Sequence, residues 1–475
     1  MSTTSNDLPL IGAPHASVEE RTAAGRAARQ AVPRSTLAVW DPSLRTHDPI
    51  ELLKQQAATR VPELVPIRHG RMSASPFTNY RGAALMMAAD LAATPHTGLD
   101  VQLCGDAHLS NFGGFASPER KLVFDLNDFD ETLPGPFEWD MKRLVASLDV
   151  AARDRGIAAP DRSHIVVEAA RAYREAMYGF AEMRDLEVWY SSESVEEAFD
   201  EIRSQALPRA VKQTEKFLAK AHTKDQMRAA GKLTREVDGR LEFIHDPPLL
   251  VPVSDLVGHG EAAQYIGTIR DSLDLYHESL NDDRRHLLRN YEFQDLARKV
   301  VGVGSVGTRA WVVLFVGRDL GDPLILQVKE AQGSVLEGFL PRSRYATHGE
   351  RVVQGQRLTQ ASSDILLGWM QAVGIDGTQR DFFVRQLWDW KASVPIEAMM
   401  APGLAVYGRM CARTLARAHA RSGDRIAIAS YLGPGTVFDR SMSTFAAAYA
   451  DQNDRDHAEL MAAIADGRIE AEVGI

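Results

Sequence analysis

The sequence predicts an α+β protein with a larger helical part and a small antiparallel sheet. Helical periodicity dominates residues 140–290, where Leu144, Leu148 and Ala151 share one face. Residues 298–330 differ, because runs of β-branched and aromatic residues alternate with glycine-containing turns, which is typical of antiparallel strands. A chain of 475 residues is too long for one hydrophobic core, so two or three packed units are expected.

The composition is that of an ordinary globular protein, with 45% hydrophobic and 25% charged residues. The formal net charge of -10 leaves no excess of Lys and Arg to neutralise phosphates, so a nucleic-acid partner is not expected. The apolar stretch Ala310–Val316 is too short to span a membrane, and residues 1–32 lack a signal-peptide core. Cys104 and Cys411 form no disulfide framework or metal-type pair. We therefore expect a cytoplasmic protein without a membrane partner.

The first helices are indicated by local signals. Ser17 and Glu20 form a capping box that predicts a short helix ending before Pro33. An irregular, cation-rich stretch follows at residues 61–81, and a further helix is expected from about Asn79 to Ala93. Further along the chain, a helix is predicted over residues 348–360.

Two short segments within 25 residues carry most of the predicted chemistry. Asp106 and Asn111 are five positions apart and follow a predicted buried strand at residues 101–104. A second predicted strand leads into an acidic loop that contains Asp128 and Asp130. Phosphoryl transfer from a metal nucleotide requires this set, namely one group that accepts a hydroxyl proton and two oxygen donors for Mg²⁺.

These side chains have distinct expected roles. Asp106 is predicted to accept the proton of a hydroxyl, and the side-chain oxygen of Asn111 is predicted to reach the metal. Asp128 is expected to be the principal Mg²⁺ ligand, with Asp130 next. Asp125 is a weaker candidate, and a turn or capping role is favoured for it.

The remaining polar residues around these loops are open to two interpretations. His108 is either a catalytic residue that orients Asp106 or contacts phosphate, or a hydrogen-bonded structural histidine. Cys104 ends a predicted buried strand and is expected to be inert. Asp140 is expected to be a cap.

A glycine-rich loop lies nearly two hundred residues later. A dinucleotide-binding fold needs a helix directly after such a loop, and a P-loop needs a lysine in it, whereas a strand follows here and the lysine is missing. A kinase-type loop is a strand–turn–strand flap over the ATP phosphates, with a lysine on a nearby strand. Lys329, in Leu-Gln-Val-Lys, fits that lysine, although a glycine-rich hairpin with a surface lysine is the alternative. The predicted nucleotide-binding residues of the loop are Gly302, Gly304, Ser305 and Gly307.

Lys329 would need a carboxylate partner. Glu350 is the preferred candidate, because it lies in a helix-like stretch about twenty residues after the lysine. Glu337 is the second candidate, and a solvent-exposed glutamate without such a role is the alternative for Glu350.

The Asp106–Asn111 segment resembles the His-Gly-Asp-(four residues)-Asn loop of small-molecule kinases, with Cys104 in place of the histidine. Most of the chain resembles a bacterial family catalogued as domain of unknown function 2252, which is assigned by similarity to the protein-kinase-like (aminoglycoside phosphotransferase-type) superfamily. The resemblance implies a two-lobe kinase-like fold. The segments that carry it are Pro66–Met72, Pro76–Gly82, Gln102–Gly113, Phe124–Glu131 and Gly302–Gly307.

The order of the motifs implies a circular permutation, because the glycine loop and Lys329 follow the catalytic loop instead of preceding it. The helix Tyr407–Ala420, with His419 near its end, resembles the helix that precedes the catalytic loop in aminoglycoside-type kinases. In the competing arrangement the helix from Asn79 to Ala93 plays that role, and a cationic N-terminal group contributes to phosphate binding. That group is Arg68, Arg71 and Arg81.

The resemblance divides the chain into parts of a large and a small lobe. The parts are an N-terminal extension (1–60), the catalytic-loop and metal-loop part of the large lobe (61–150), the helical part of the large lobe (151–290), the β-rich small lobe with the glycine loop and lysine (291–395), and C-terminal helices that return to the large lobe (396–475). The expected function is an ATP- and Mg²⁺-dependent phosphotransferase acting on an unknown hydroxyl-bearing small molecule or protein. The alternatives are a catalytically silent nucleotide-binding or regulatory module and a metal-dependent phosphoester hydrolase that uses Asp106, His108 and Asp128.

Overall fold

The computed structural model describes residues 15–195, 226–257, 259–300, 302, 306–387, 390 and 394–474. The helices are α1 (Val18–Ala31), α2 (Pro49–Ala57), α3 (Val65–Ser73), α4 (Pro76–Gly82), α5 (Ala84–Ala92), α6 (Phe137–Asp154), α7 (Ala159–Glu182), α8 (Asp185–Tyr190), α9 (Gln226–Leu233), α10 (Val253–Val257), α11 (His259–Glu278), α12 (Asp282–Leu288), α13 (His348–Thr359), α14 (Ala401–Ser422), α15 (Arg425–Leu432) and α16 (Val437–Ala465). The strands are β1 (Asp100–Leu103), β2 (Phe112–Ala116), β3 (Leu122–Leu126), β4 (Leu133–Pro136), β5 (Glu193–Ser194), β6 (Thr234–Val237), β7 (Arg240–Phe243), β8 (Leu250–Pro252), β9 (Glu292–Lys299), β10 (Ala310–Val316), β11 (Pro323–Glu330), β12 (Gly368–Val373) and β13 (Gln379–Gln386). The predicted α+β class is confirmed, and no helix in these ranges has both the length and the apolar character needed to cross a bilayer.

Helix α1 begins where the capping box predicts. The Ser17 hydroxyl accepts the Glu20 N–H at 3.1 Å, and Glu20 Oε2 accepts the Ser17 N–H at 2.7 Å. Gly25 of this helix faces α15 so closely that a Cβ would lie 2.1 Å from the Ala427 carbonyl oxygen. The start of the chain therefore packs on the C-terminal helices.

The helix expected from Asn79 to Ala93 is two helices, α4 and α5, that meet at Ala83. The break has a tertiary cause, because the Gly82 carbonyl accepts a hydrogen bond of 2.8 Å from Arg68 Nη2. A Cβ at Gly82 would lie 2.6 Å from the Met72 sulfur, so a larger residue would require the Met72 side chain to move. These contacts join α3 to the end of α4.

The largest hydrophobic core is formed mainly by α6, α7, α14 and α16. Phe137 of α6 stacks on Tyr173 of α7 with ring centroids 6.0 Å apart. Helix α6 is buried along nearly its whole length and nevertheless carries Asp140, Lys142 and Arg143. Charged groups in such a position require partners. Asp140 and Arg143 find theirs in the loop after β1, which belongs to the candidate site.

A six-stranded antiparallel sheet has the order β12-β13-β11-β10-β9-β8. Its register places Lys329 of β11 beside Ala310 of β10 and Phe383 of β13. One face packs on α11, where Ile269 and Tyr276 join the apolar cluster of the sheet. The antiparallel sheet predicted for residues 298–330 is confirmed.

The helical pattern expected across residues 140–290 is confirmed by α6–α12, but it is wrong at β5 and at residues 234–252, which contain three strands. Strands β6 and β7 form a hairpin, and β8 joins the edge of the six-stranded sheet beside β9. The hairpin turn is Asp238-Gly239, both with positive φ (48° and 77°). An Asp-Gly pair between short alternating segments is a strong hairpin signal, because its backbone twist matches that of the two strands.

Candidate functional site

The catalytic-type loop follows β1 and folds back on itself. Asn111 Nδ2 donates a hydrogen bond of 2.7 Å to the Asp106 carbonyl oxygen, and the Asn111 N–H donates to the His108 carbonyl at 2.9 Å. The Asn111 side-chain oxygen accepts no hydrogen bond from the described residues. The amide therefore holds the turn with its nitrogen and leaves its oxygen available to a ligand.

Asp106 is oriented by an arginine that the sequence did not indicate. Arg143 Nε donates to Asp106 Oδ1 at 2.8 Å. Arg143 is held in turn by Tyr80, whose carbonyl accepts from Nη2 at 2.8 Å and whose ring lies 4.0 Å from the guanidinium carbon. Burial raises the pKa of Asp106, and the charge of Arg143 opposes that rise. One carboxylate oxygen is thereby fixed and the other is left for a reacting group.

His108 is neutral in this environment. Its Nδ1 accepts the Ser110 N–H at 3.2 Å, so the ring proton is on Nε2, which lies 3.6 Å from Asp106 Oδ2. Burial lowers its pKa well below the usual value, and the charges of Arg143 and Arg81 lower it further. At this distance the ring approaches Asp106 without forming a full hydrogen bond.

Asp140 holds the base of the loop. Its carboxylate accepts the Cys104 N–H at 2.8 Å and the Gly105 N–H at 3.1 Å, and it lies 3.3 Å from His419 Nε2. Gly105 has a φ of 85°, and a Cβ there would lie 2.3 Å from the Glu131 carbonyl oxygen. Asp140 is therefore a structural cap, and burial raises the pKa of the Cys104 thiol, which favours its inert protonated form.

The end of α14 lies against the strand that enters this loop. Ser422 Oγ accepts the Gln102 N–H at 3.1 Å, although the two residues are 320 positions apart. A Cβ at Gly423 would lie 2.8 Å from the Asp100 carbonyl oxygen, so the approach needs glycine. Helix α5 is the other candidate for the helix that precedes the catalytic-type loop, and it is connected to β1 directly along the chain.

The second half of the predicted site comes from the six-stranded sheet. Lys329 Nζ bonds to Asp130 Oδ2 and lies 3.8 Å from Asp128 Oδ1. Only 3% of the lysine side chain is exposed. Asp130 Oδ1 is buried and has no hydrogen-bond partner. The acidic loop and the lysine, 199 positions apart, are therefore in direct contact.

The two loops are joined to each other. The Asn127 N–H donates to the Asn111 carbonyl at 2.8 Å, and Arg385 Nη1 donates to the Asn127 carbonyl at 2.9 Å. Burial raises the pKa of Asp130, and the Asp128 carboxylate raises it further. Burial acts in the same direction on Asp128, but Lys329 and Arg385 outweigh it and lower the pKa of that carboxyl. The two cations thus favour the charged form of Asp128.

Asp125, the weakest of the predicted metal ligands, is structural. Its side chain bonds to Arg417 Nη2 and accepts the N–H groups of Leu126 and Ala361, each at 2.9 Å. Both side chains of the ion pair are nearly fully buried. The oxygens of Asp125 are therefore occupied by protein donors, which agrees with the capping role favoured for it.

Neither predicted glutamate forms an ion pair with Lys329. Within the described chain, Glu350 has no ionic partner, and Glu337 Oε1 accepts the Ser343 N–H at 3.2 Å. Helix α13 reaches the acidic loop through Arg351 instead. Its Nη1 donates to the Thr132 carbonyl at 2.7 Å, and its Nη2 donates to the Asp130 carbonyl at 2.8 Å.

The glycine loop connects β9 and β10, as a strand–turn–strand flap requires. Gly302 is exposed, and Gly307 has a φ of 88° that favours glycine. Gly304 and Ser305 lie outside the described residues. The Val61 N–H donates to the Gly307 carbonyl at 2.8 Å, and Arg60 Nη1 donates to the Val306 carbonyl. The segment before α3 therefore packs on the base of the loop.

The N-terminal arginines differ in their surroundings. Arg68 is fully buried, and its Nη2 donates to Gln56 Oε1 at 2.6 Å and to the Gly82 carbonyl, so it is a structural residue. Arg71 is partly exposed. Arg81 follows Tyr80, whose carbonyl accepts a hydrogen bond from the Arg143 side chain that binds Asp106.

Sequence reasoning missed the arginines that organise the site. Arg143 was the easiest of them to predict from the sequence, because it follows Asp140 by about one helical turn on helix α6. A charged residue on the same side as a predicted loop cap indicates a partner in that loop. Arg351 and Arg385 carry no comparable local signal, because their partners are main-chain carbonyls of a distant segment.

The donor set suits Mg²⁺ with a nucleotide more than a protein-only metal site. Across the described ranges, no three His, Cys, Asp or Glu side chains are arranged to hold a metal ion. Mg²⁺ requires fewer protein ligands, because it is usually bound by one or two carboxylates together with phosphate oxygens and water. Asp128, Asp130 and the free oxygen of Asn111 provide that set, and the unpartnered Asp130 Oδ1 fits it.

Comparison with known proteins identifies the family but no characterised relative. Neither the curated proteins nor the solved structures contain a significant match. A family model matches residues 60–463, a range that includes both loops, Lys329 and α14. The chain therefore belongs to the family described as "Uncharacterized protein conserved in bacteria (DUF2252)".

Proposed function

We propose that the protein is an ATP- and Mg²⁺-dependent phosphotransferase with a circularly permuted, kinase-like fold. The observation that carries this proposal is the approach of Lys329 Nζ to Asp128 and Asp130. A kinase needs its phosphate-binding lysine and its metal-binding aspartate in one cleft, because a single Mg·ATP contacts both. The Asp106–Asn111 loop is hydrogen-bonded to the same acidic loop, so all three groups face one region.

The permuted order is supported by two observations, the order of elements after the glycine loop and one hydrogen bond. Counted from the strand before the glycine loop, Lys329 lies on the third strand, β11, and a helix follows, as in kinases. The Ser422–Gln102 hydrogen bond places the end of α14 beside the start of β1. A chain in kinase order would pass directly from that helix to that strand.

The residues have definable roles in the transfer. Asp106 accepts the proton of the acceptor hydroxyl through Oδ2, while Arg143 holds Oδ1 and keeps the carboxylate in place. The hydroxyl oxygen forms the new bond to phosphorus, and the bond from phosphorus to the departing diphosphate oxygen breaks. Lys329 exchanges its contact with Asp130 for a phosphate, and Asn111, Asp128 and Asp130 would hold the metal. Mg·ATP supplies the phosphoryl group and neutralises its charge.

A specific observation favours a catalytically silent nucleotide-binding module as the second candidate. Active protein kinases require the lysine to pair with a glutamate of the following helix. Here Lys329 pairs with the acidic loop and Glu350 does not reach it. Binding without turnover would follow if that arrangement persisted with nucleotide bound.

Thermal unfolding with ATP and Mg²⁺, followed by ³²P transfer to the protein itself and to a metabolite extract, separates these functions. At a ligand concentration about 100 times Kd, binding stabilises the folded state by about 2.7 kcal/mol, which gives a readable shift in Tm. A shift with transfer that Asp106→Asn abolishes is expected. A shift without transfer would favour the silent module, and no shift at all would contradict both functions.

A further inference from the structure

Arg81 has a guanidinium group that forms no hydrogen bond or ion pair with the described residues. It lies in the last turn of α4 and is only partly exposed. Its Nε is buried and makes no hydrogen bond, and among the described residues no hydrogen bond or ion pair involves either terminal nitrogen. Unlike Nε, these terminal nitrogens are not buried, so they remain in contact with solvent. The fork of donors is therefore open to a ligand.

The position of Arg81 is set by its neighbour in the chain. Tyr80 donates through its hydroxyl to the Arg143 carbonyl at 2.8 Å, and Arg143 binds Asp106. The carboxylates that face Arg81 are Asp106 and the exposed Glu397, and neither is within ion-pair distance. Arg81 thus lies on the same side of the site as Asp106, the predicted catalytic base.

Other buried arginines in the described structure have hydrogen-bond partners in the protein, and Arg68 and Arg351, for example, donate to main-chain carbonyls. Arg143, Arg174 and Arg417 each pair with an aspartate. Burying most of a guanidinium without a counterion costs desolvation free energy. A bound oxyanion would offset that cost. A carboxylate or phosphate is the ligand that matches its planar fork.

We propose that Arg81 binds an anionic group of the phosphoryl acceptor, so that the acceptor is a hydroxyl compound that also carries a phosphate or a carboxylate. This inference rests on the proposed phosphotransferase function and deepens it. The nucleotide side is distinct, because the N-terminal segment contacts the glycine loop through Arg60, which donates to the Val306 carbonyl. Arg81 instead follows Tyr80, which bonds to Arg143, the residue that binds Asp106.

Calorimetric titration of the full chain tests the proposal with inorganic phosphate and with two matched comparisons. These compare glycerol with glycerol 3-phosphate and glycerol with glycerate, each with and without Mg²⁺ and a non-hydrolysable ATP analogue. We expect an anionic member to bind with a Kd of about 1 mM or below, and the neutral member not to bind measurably. The phosphate and carboxylate arms distinguish the two sources of the anion.

Arg81→Gln should weaken that binding by about tenfold or more, because a charge-assisted contact is worth about 1.5–3 kcal/mol. Arg81→Lys keeps the charge without the fork and should retain part of the affinity, which separates recognition from misfolding. The exposed Arg284→Gln on α12 is the matched control and should change nothing.

Equal binding of neutral and anionic compounds, no binding of any anion, or unchanged anion affinity in Arg81→Gln would overturn the inference. Loss of nucleotide affinity in Arg81→Gln with anion binding intact would also overturn it, because Arg81 would then serve the donor. Failure of the wild-type protein to bind the ATP analogue with Mg²⁺ is a separate result. It would contradict the proposed function, while the titrations without nucleotide still decide whether Arg81 captures an anion.

Discussion

Lys329 Nζ bonds to Asp130 Oδ2 across 199 positions of sequence and so joins the six-stranded sheet to the acidic loop. Asp128 Oδ1 lies 3.8 Å from the same nitrogen. The lysine side chain is only 3% exposed, so water contributes little to stabilising its charge. Nucleotide phosphates bound here would have to replace a carboxylate as the partner of the lysine.

Lys329→Met should weaken nucleotide binding and lower stability. The variant leaves two neighbouring carboxylates without their cation, which we expect to destabilise the fold by roughly 2 kcal/mol. ATP affinity should fall by about tenfold or more, since a charge-assisted phosphate contact is lost. Calorimetry and urea unfolding measure the two effects. Lys54→Met, which removes an exposed lysine paired with Glu51, should change neither, and unchanged ATP affinity in Lys329→Met would contradict the assignment.

Asp106→Asn should abolish transfer and preserve nucleotide binding. The amide keeps a contact to Arg143 but cannot accept the hydroxyl proton, and loss of a general base typically costs about 10²–10⁴-fold in rate. The rate of ³²P transfer and the Kd for ATP are the measurements. Asp283→Asn on the surface is the control. A variant at Asp106 with wild-type turnover would show that another group carries out the proton transfer.

Arg417→Ala should destabilise the protein without altering the metal-binding groups directly. Asp125 would be left as a buried, uncompensated charge, and removing one partner of such a pair costs about 3 kcal/mol or more. The denaturation midpoint should therefore fall, while the Mg²⁺ dependence of nucleotide binding by the folded protein stays the same. The fully exposed Arg318, which pairs with Asp319, provides a control substitution with no measurable effect expected. A changed Mg²⁺ dependence would indicate that Asp125 is a ligand after all.

Glu131 should make stability fall as pH rises. Burial raises the pKa of its carboxyl from 4.5 to about 7, and the hydrogen bond from the Val335 N–H opposes this only in part. Between these values the folded state binds more protons than the unfolded chain, so the free energy of unfolding declines with pH and levels off above about 7.

The difference between wild type and Glu131→Gln isolates this effect. The glutamine keeps an acceptor for Val335 but does not titrate, so the decline should be smaller in the variant by on the order of 2 kcal/mol, allowing for partial exposure. Urea unfolding at several pH values between about 5 and about 8 measures it. Parallel curves for the two proteins would show that the carboxyl titrates normally.

Local signals were sufficient for much of the secondary structure. The Ser17–Glu20 capping box, the helix over 348–360 and the antiparallel strands near Lys329 follow from hydrogen bonds and periodicity within a few residues. The Asp238-Gly239 hairpin was equally readable from its turn residues and was overlooked within a helical interpretation. The break at Ala83 was not readable, because the Arg68 side chain and Met72 impose it from another helix.

Local sequence patterns alone predicted the residues of the candidate site, namely Asp106 and Asn111 from their spacing, the acidic loop, and a lysine on a strand after a glycine loop. Tertiary structure alone decided their partners. Lys329 binds the acidic loop instead of Glu350, and Arg143 orients Asp106. The physical reason is that an ion pair depends on a few ångströms of separation and on exclusion of water. Both are set by how distant segments pack, whereas periodicity and turn signals report only on neighbours in the chain.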